Sequence, residues 1–378
     1  MAQTDLSTRL REPGPKRLLA LDGGGLRGLV TLGFLERIEK ILRERTGKPN
    51  LVLADYFDLI GGTSTGAIIA TMLALGHPVS DLRELYLSLG RKAFVPMRYF
   101  LGFIGRLLGA RFDENPIEAL LRQHLGDRTL TSPDLRVGLM IVARRADTGS
   151  VWTLVNLPDH KFYDFNKNLP LWEVVRSSTA APTYFKPRMI SDVGAGEGAI
   201  FVDGGVSMHN NPALQLLFVA TLDGWALRWP LGEDKLLLCS VGTGSFLKLK
   251  SREKLQKYTN LEWVGLLFQH MMYDASELLQ TVLQLISKSP TAHQIDRQIG
   301  TLANDSIGPI PQISYLRYEI DLEKKALAEL GLDYEDERVE ALSQMSDVRN
   351  LEELDRIGQK AAAVQVKPEH FPPAFNRS

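Results

Sequence analysis

Short apolar runs that lead into glycine-rich turns, and then into apolar residues at helical spacing, recur along this chain of 378 residues. Residues 17–21 (Arg-Leu-Leu-Ala-Leu) read as a strand and Asp22 to Gly28 as a turn. Leu29, Leu32, Leu35, Ile38 and Leu42 would then line one face of a helix that Gly47 stops. A second unit repeats the pattern: residues 57–60 run into Gly61-Gly62-Thr63-Ser64-Thr65-Gly66, and a helix over 67–75 is ended by Gly76 and Pro78. Runs rich in β-formers at 135–143 and 151–155 flank Asp147-Thr148-Gly149 and predict a hairpin at the sheet's edge. Further strands are expected over 199–202, 235–241 and 313–320, separated by helices over 212–222 and 261–287. Strand alternating with helix predicts an α/β fold, a three-layer α/β/α sandwich whose mainly parallel sheet is covered on both faces.

Beyond residue 321 the charge density rises and the pattern turns helical, notably over 351–366, so 321–378 is expected to be a helical extension of a main domain over 16–320. Residues 1–15 carry mixed charges and lack the apolar run of a signal peptide; they read as a flexible leader on a cytoplasmic protein. The longest charge-free stretch, between Asp58 and Asp81, contains glycines and Pro78 and suits a turn and a buried helix better than a membrane span.

Composition narrows the function classes. With 44 Lys plus Arg against 45 Asp plus Glu, the net charge of −1 excludes a broad electrostatic commitment to nucleic acid polymers. At 44% hydrophobic residues the chain can bury a large core. A single cysteine, Cys239, rules out an intramolecular disulfide framework or a multi-cysteine metal site.

Three segments carry chemistry. Gly62-Thr63-Ser64-Thr65-Gly66 is a G-x-S-x-G where a strand meets a helix, a setting that projects a serine oxygen clear of the backbone because glycines relieve the crowding of so sharp a turn. The helix that follows adds a dipole favouring negative charge at its start. A serine hydroxyl needs a base, and none of the seven histidines sits in a recognisable triad context. A carboxylate is the alternative: Asp203 ends an apolar run and is followed by Gly204 and Gly205, an active-site address in a parallel sheet. The third segment, Asp22 to Gly28, satisfies G-x-G-x-x-G with Gly23, Gly25 and Gly28. It reads either as a dinucleotide-binding turn or as an oxyanion hole whose amides approach a tetrahedral intermediate unhindered. Against the dinucleotide, no acid stands at the end of the second strand, and Glu44 lies within the expected helix.

Together these segments resemble the patatin-like acyl hydrolases, or patatin-like phospholipases, of bacterial type. The resemblance rests on residues 19–28, on 56–66 and on Asp203-Gly204-Gly205, with 171–185 similar to the family's helix before the aspartate strand; it covers roughly 16–245. It implies an α/β sandwich with a Ser–Asp dyad, Ser64 as nucleophile and Asp203 as proton acceptor. It further implies an oxyanion hole in the first glycine turn, at Gly23, Gly24 and Gly25 with Arg27 adjacent, and Gly28, Gly62, Gly66, Gly204 and Gly205 as motif residues. The activity implied is release of fatty acids from glycerophospholipids without metal or other cofactor, hence independent of calcium. His209, where relatives often carry a small residue, is expected to be a surface position leading into a helix.

A lipid hydrolase must meet an interface. Residues 94–112, with four Phe, one Tyr and Arg98, Arg106 and Arg111 but no acid, are a candidate interfacial lid for transient contact with the inner face of a membrane; the alternative is a helix packed on the core. Residues 261–287, with Phe268, Met271, Met272 and Tyr273, fit core packing better than an acyl groove. Some bacterial members of the family carry similar extensions and act in anti-phage defence, switched on by a cyclic nucleotide. A cyclic-nucleotide activator is therefore one expectation, and a general lipid or thioester acyl hydrolase another. A nucleotide-binding module built on residues 23–28 is the competing reading from a different class.

Overall fold

Apolar residues on both faces of the central strands force this sheet to be covered twice. In the strand over Lys16–Leu21 (β1), Leu19 and Leu21 join one buried cluster while Leu18 and Ala20 join another, and the same alternation recurs in the strands over Leu59–Thr63 (β2) and Gly138–Arg145 (β3). The computed structural model describes residues 5–93, 112–193, 197–246, 252–294 and 300–377.

Before β1 lies a short helix, Leu6–Arg11 (α1); after it, Gly28–Thr46 (α2) buries Leu29, Leu32, Leu35, Ile38 and Leu42, and Gly47 ends it at φ +64. Helices Thr65–Ala74 (α3), Val79–Ala93 (α4) and Asn115–Leu125 (α5) follow β2. Strand Val151–Val155 (β4) pairs antiparallel with β3, and after helix Leu171–Ser178 (α6) come strands Arg188–Val193 (β5) and Glu197–Asp203 (β6). Helix Ala213–Thr221 (α7), strand Leu236–Val241 (β7), helix Asn260–Leu285 (α8), strands Ser287–Lys288 (β8) and Ile313–Tyr318 (β9), and helix Leu351–Gln365 (α9) complete the order used below. The sheet runs β5-β6-β3-β2-β1-β7-β9-β8, with β4 on β3; β2-β1-β7-β9 and β2-β3 are parallel, while β4 and β6 oppose β3.

The expected mainly parallel sandwich is therefore present, with two revisions. The hairpin of β3 and β4 does stand at an edge, since β4 pairs with β3 alone among the described residues, but the sheet branches there: β6 meets the other side of β3, at residues 143–145, beyond the point where β2 has ended, and β5 extends the sheet further. β5 escapes a reading for strands because Pro187 precedes it, its Met189 is exposed, and an irregularity interrupts its pairing after Ile190. β2 also runs three residues past Ile60, where Gly61 and Gly62 still pair with both β1 and β3, and glycine is needed at 61 because a side chain there would strike Met140 and Leu216.

The described residues nearest both ends are tied down rather than loose. In α1, Leu10 is buried and the Arg9 guanidinium donates to Phe57 O at 2.7 Å. The Asp58 carboxylate, 1% exposed, faces Arg9, Arg17 and, from the far end of the chain, Arg377. The C-terminal segment is helical as expected but is not an appendage: α9 lies across α2 so closely that a Cβ on Gly33 would stand 2.4 Å from the Gly358 carbonyl carbon. Asp58→Asn leaves three buried or half-buried arginines without their shared acid. It is expected to cost about 3 kcal/mol of stability, read as a fall in the denaturant midpoint.

Candidate active site

The geometry at Ser64 follows from the two glycines around it. Ser64 sits at φ +54 between β2 and α3, a conformation that non-glycine residues rarely adopt and that lifts its side chain out of the turn. The turn closes only because its neighbours are small: a Cβ on Gly62 would lie 2.1 Å from Gly66 O, and one on Gly66 2.2 Å from Leu21 O. Ser64 N–H donates to Ser178 Oγ at 2.8 Å, and Ser178 Oγ donates to Val142 O at 2.6 Å, so α6 braces the elbow.

The antiparallel β6 delivers the acid. Because β6 meets β3 only beyond the end of β2, its last residue, Asp203, comes to rest beside the elbow. Ser64 Oγ donates to Asp203 Oδ2 at 2.5 Å, and Gly205 N–H donates to Asp203 Oδ1 at 2.7 Å. Burial pushes the Asp203 carboxyl up to about 6, against the hydrogen bonds from Ser64 and Gly205 that favour the anion. A carboxylate there is poised to take a hydroxyl proton near neutral pH.

The first glycine turn faces the same space. A Cβ on Gly23 would lie 3.1 Å from Ser64 Cβ, and Gly24 and Gly25 line a cavity with Ser64 and Asp203. Of the amides in this turn, Gly23 N–H donates to Asn210 O, Leu26 N–H to Met345 O and Arg27 N–H to Gly24 O. Of the amides of residues 23–27, those of Gly24 and Gly25 are therefore the ones without an acceptor among the described residues. The Arg27 guanidinium is outside the cavity lining, and burial lowers its pKa. Gly28 lets Thr65 and Tyr86 close over the turn, and Gly204 lets β6 pass the Val142 carbonyl.

The cavity measures about 610 Å³. From Ser64 and Asp203 it runs between α3, α4 and α5 over Ile68, Met72, Leu85, Ile117 and Leu121, with Phe185 also in its lining, and carries few polar atoms besides those of Ser64, Asp203 and the glycine turn. The apolar lining and the engaged Asp22, whose carboxylate is held by Arg317, disfavour a dinucleotide on this turn; at the end of β2 stands Thr63, its hydroxyl donating to His209 O. The His209 ring partners Ser207 rather than Ser64 or Asp203.

A family model described as "Patatin-like phospholipase" matches residues 19–217. The chain belongs to that family. Patatin-17 of Solanum cardiophyllum is 29% identical over 280 residues, 69% of each chain. Patatin-2-Kuras 4 of Solanum tuberosum is 29% identical over the same length, 69% of this chain and 72% of its own. A protein of Escherichia coli strain TW11681 named cGAMP-activated phospholipase is 32% identical over 204 residues, 54% of this chain and 55% of that one. Membership in a patatin-like phospholipase family implies lipid acyl hydrolase activity, and the apolar cavity beside Ser64 suits an acyl chain.

Residues that the sequence did not single out also shape the site. Ser178, Asn210, Thr243 and Met345 all touch the elbow or the glycine turn. Ser178 lies inside a run already quoted for the resemblance; Asn210, Thr243 and Met345 do not. Most of the candidate lid at 94–112 lies outside the described residues; Phe112, at its end, is buried and stacks on Tyr184. On α8, Leu279 and Leu283 are core, as expected, but Met272 lines the cavity, and Val264, Leu267, Met271 and Leu278 are exposed. Among the described residues no helix is long and apolar enough to cross a membrane.

Proposed function

We propose that this protein is a serine acyl hydrolase that releases fatty acids from glycerophospholipids, a phospholipase A-type carboxylic ester hydrolase of the cytoplasm that meets the membrane face transiently. One observation carries the reading: Ser64 Oγ stands 2.5 Å from the buried Asp203 carboxylate at the wall of an apolar cavity. Asp203 takes the Ser64 proton as Oγ attacks the acyl carbonyl carbon. The oxygen that becomes negative is met by the Gly24 and Gly25 N–H groups and by the start of α3. Collapse breaks the ester bond, the departing alcohol takes the proton from Asp203, and the acyl group stays on Ser64. A water then gives its proton to Asp203 and attacks the acyl carbon; the fatty acid leaves and the proton returns to Ser64. Each proton has a carrier, so neither step calls for a metal ion.

The test is fatty-acid release from mixed phospholipid vesicles in the presence of a calcium chelator, alongside fluorophosphonate labelling of Ser64. Labelling with release supports the reading; labelling with hydrolysis of soluble thioesters or simple esters alone redirects it to a general acyl hydrolase; neither overturns it. The base must be ionised in the free enzyme, so kcat/KM is expected to rise about tenfold per pH unit up to about 6, where the Asp203 carboxyl titrates, and to level off above. A profile flat from pH 4.5 to 7 removes Asp203 as the base.

A second reading, activation by a cyclic nucleotide, is favoured by the likeness to the cGAMP-activated phospholipase, which spans 54% of this chain. Under that reading adding cGAMP to the purified protein raises the rate of fatty-acid release; an unchanged rate refutes it for that nucleotide.

A further inference from the structure

The strand register lays a polar row across the sheet beside the glycine turn. Ala20 on β1 pairs with Ser240 on β7, and Ser240 pairs with Arg317 on β9. In-register neighbours share a face, and so does Asp22, two residues after Ala20 and just past the end of β1. Arg317 reaches back over β7 to that acid: Nη1 donates to Asp22 Oδ1 at 3.1 Å and Nη2 to Asp22 Oδ2 at 2.7 Å, while Nη1 also donates to Ser240 Oγ at 2.7 Å. Nη2 further contacts Glu319 Oε2 at 2.5 Å, and Glu319 Oε1 accepts from Gly244 N–H at 2.6 Å. The Arg317 and Asp22 side chains are only 2% and 5% exposed. The row fits because Gly242 is bare: a Cβ there would stand 1.9 Å from Glu319 Oε2. Thr243, the next residue, donates its hydroxyl to Gly23 O at 3.0 Å.

Asp22 is the residue from which the glycine turn departs, so its clamp sets the turn's direction. Resting on the hydrolase reading above, we propose that Arg317 is a positioning residue for acyl transfer, aligning the Gly24 and Gly25 amides with Ser64 Oγ through its two-pronged grip on Asp22. Arg317 lies well outside the family match of 19–217, in the last quarter of the chain. A buried ion pair is a poor source of stability compared with apolar side chains of similar size, whereas a fork on a carboxylate fixes orientation as few other contacts do. Misplacing catalytic donors by about an ångström can cost on the order of a hundredfold in rate.

The experiment compares wild type, Arg317→Lys and the double variant Asp22→Asn with Arg317→Met, which removes both charges of the fork and leaves Glu319, 20% exposed, with the Gly244 N–H as its donor. Readouts are kcat and KM on a soluble short-chain ester, the rate of Ser64 labelling by a fluorophosphonate, and the melting temperature. The folded double variant is expected to lose about tenfold to a hundredfold in kcat and in labelling rate, with KM within about twofold. Arg317→Lys, which keeps a positive charge but not the fork, is expected to recover part of that loss. A folded double variant with kcat within about twofold of wild type overturns the proposal. Loss of the fold in the double variant does so too, since the pair would then be a stability element. Ser64→Ala belongs in the same assay: activity retained there faults the hydrolase reading, not the role of Arg317.

Discussion

Ser64→Ala is expected to lower fatty-acid release by about a thousandfold or more, and Asp203→Asn by a comparable factor. The two act as one unit. Alanine removes the atom that attacks; asparagine keeps the shape of the acid and can still accept a hydrogen bond, but cannot take the Ser64 proton. The double variant should therefore be no slower than the worse of the two single variants, whereas independent roles would multiply the losses. The measurement is initial rate on mixed phospholipid vesicles with chelated calcium, on variants whose melting temperatures stay near that of wild type. If Asp203→Asn retained wild-type activity, another group would have to serve as base. His209 would be the first to examine, although its ring partners Ser207 and burial lowers its pKa.

Gly25→Ala should give the second-largest loss, about a hundredfold to a thousandfold in kcat, the cost usually seen when one oxyanion donor is withdrawn. Two strains act together. Gly25 sits at φ +60, and a Cβ there would stand 2.4 Å from the Met345 carbonyl oxygen, a backbone atom that cannot swing away. The turn must shift outward and carry its amides from Ser64, at a cost of about 1–3 kcal/mol in stability as well. Gly47 supplies the control. It also has positive φ, +64, but nothing lies within 4 Å of its missing Cβ. Alanine there should cost about 1 kcal/mol of conformational strain and leave kcat unchanged. Should Gly25→Ala keep full kcat, the glycine turn would lose its assigned role.

What could be foreseen from the chain and what could not divide along a physical line. β1, β2, β7 and the helices that follow the glycine turns announce themselves because each is defined by its own residues: an apolar run, a glycine, a helical repeat. Ser64 and Asp203 stand at the ends of such runs for the same reason. The course of β6 was not legible, since nothing local says that a strand will run against its neighbour and meet it only at residues 143–145. Nor were Thr243, Arg317 and Met345, whose contact with the turn depends on sheet order rather than on spacing. The engaged Gly23 and Arg27 amides belong here as well: a glycine-rich string shows that backbone can approach a ligand but not which N–H groups have already been used.

The clamp on the glycine turn also bears on when this chain becomes active during synthesis. Asp22 and Arg317 are separated by 295 residues, and Arg17 meets the Phe375 carbonyl across 358. Contacts of such long range form late, and a chain leaving the ribosome N-terminus first carries the nucleophile long before it carries the residues that hold the turn in place. A nascent polypeptide that has exposed Ser64 and Asp203 but not yet β9 and the segment around Met345 lacks the grip on its glycine turn. A lipid acyl hydrolase built this way would then stay silent until β9 and the segment around Met345 have been made.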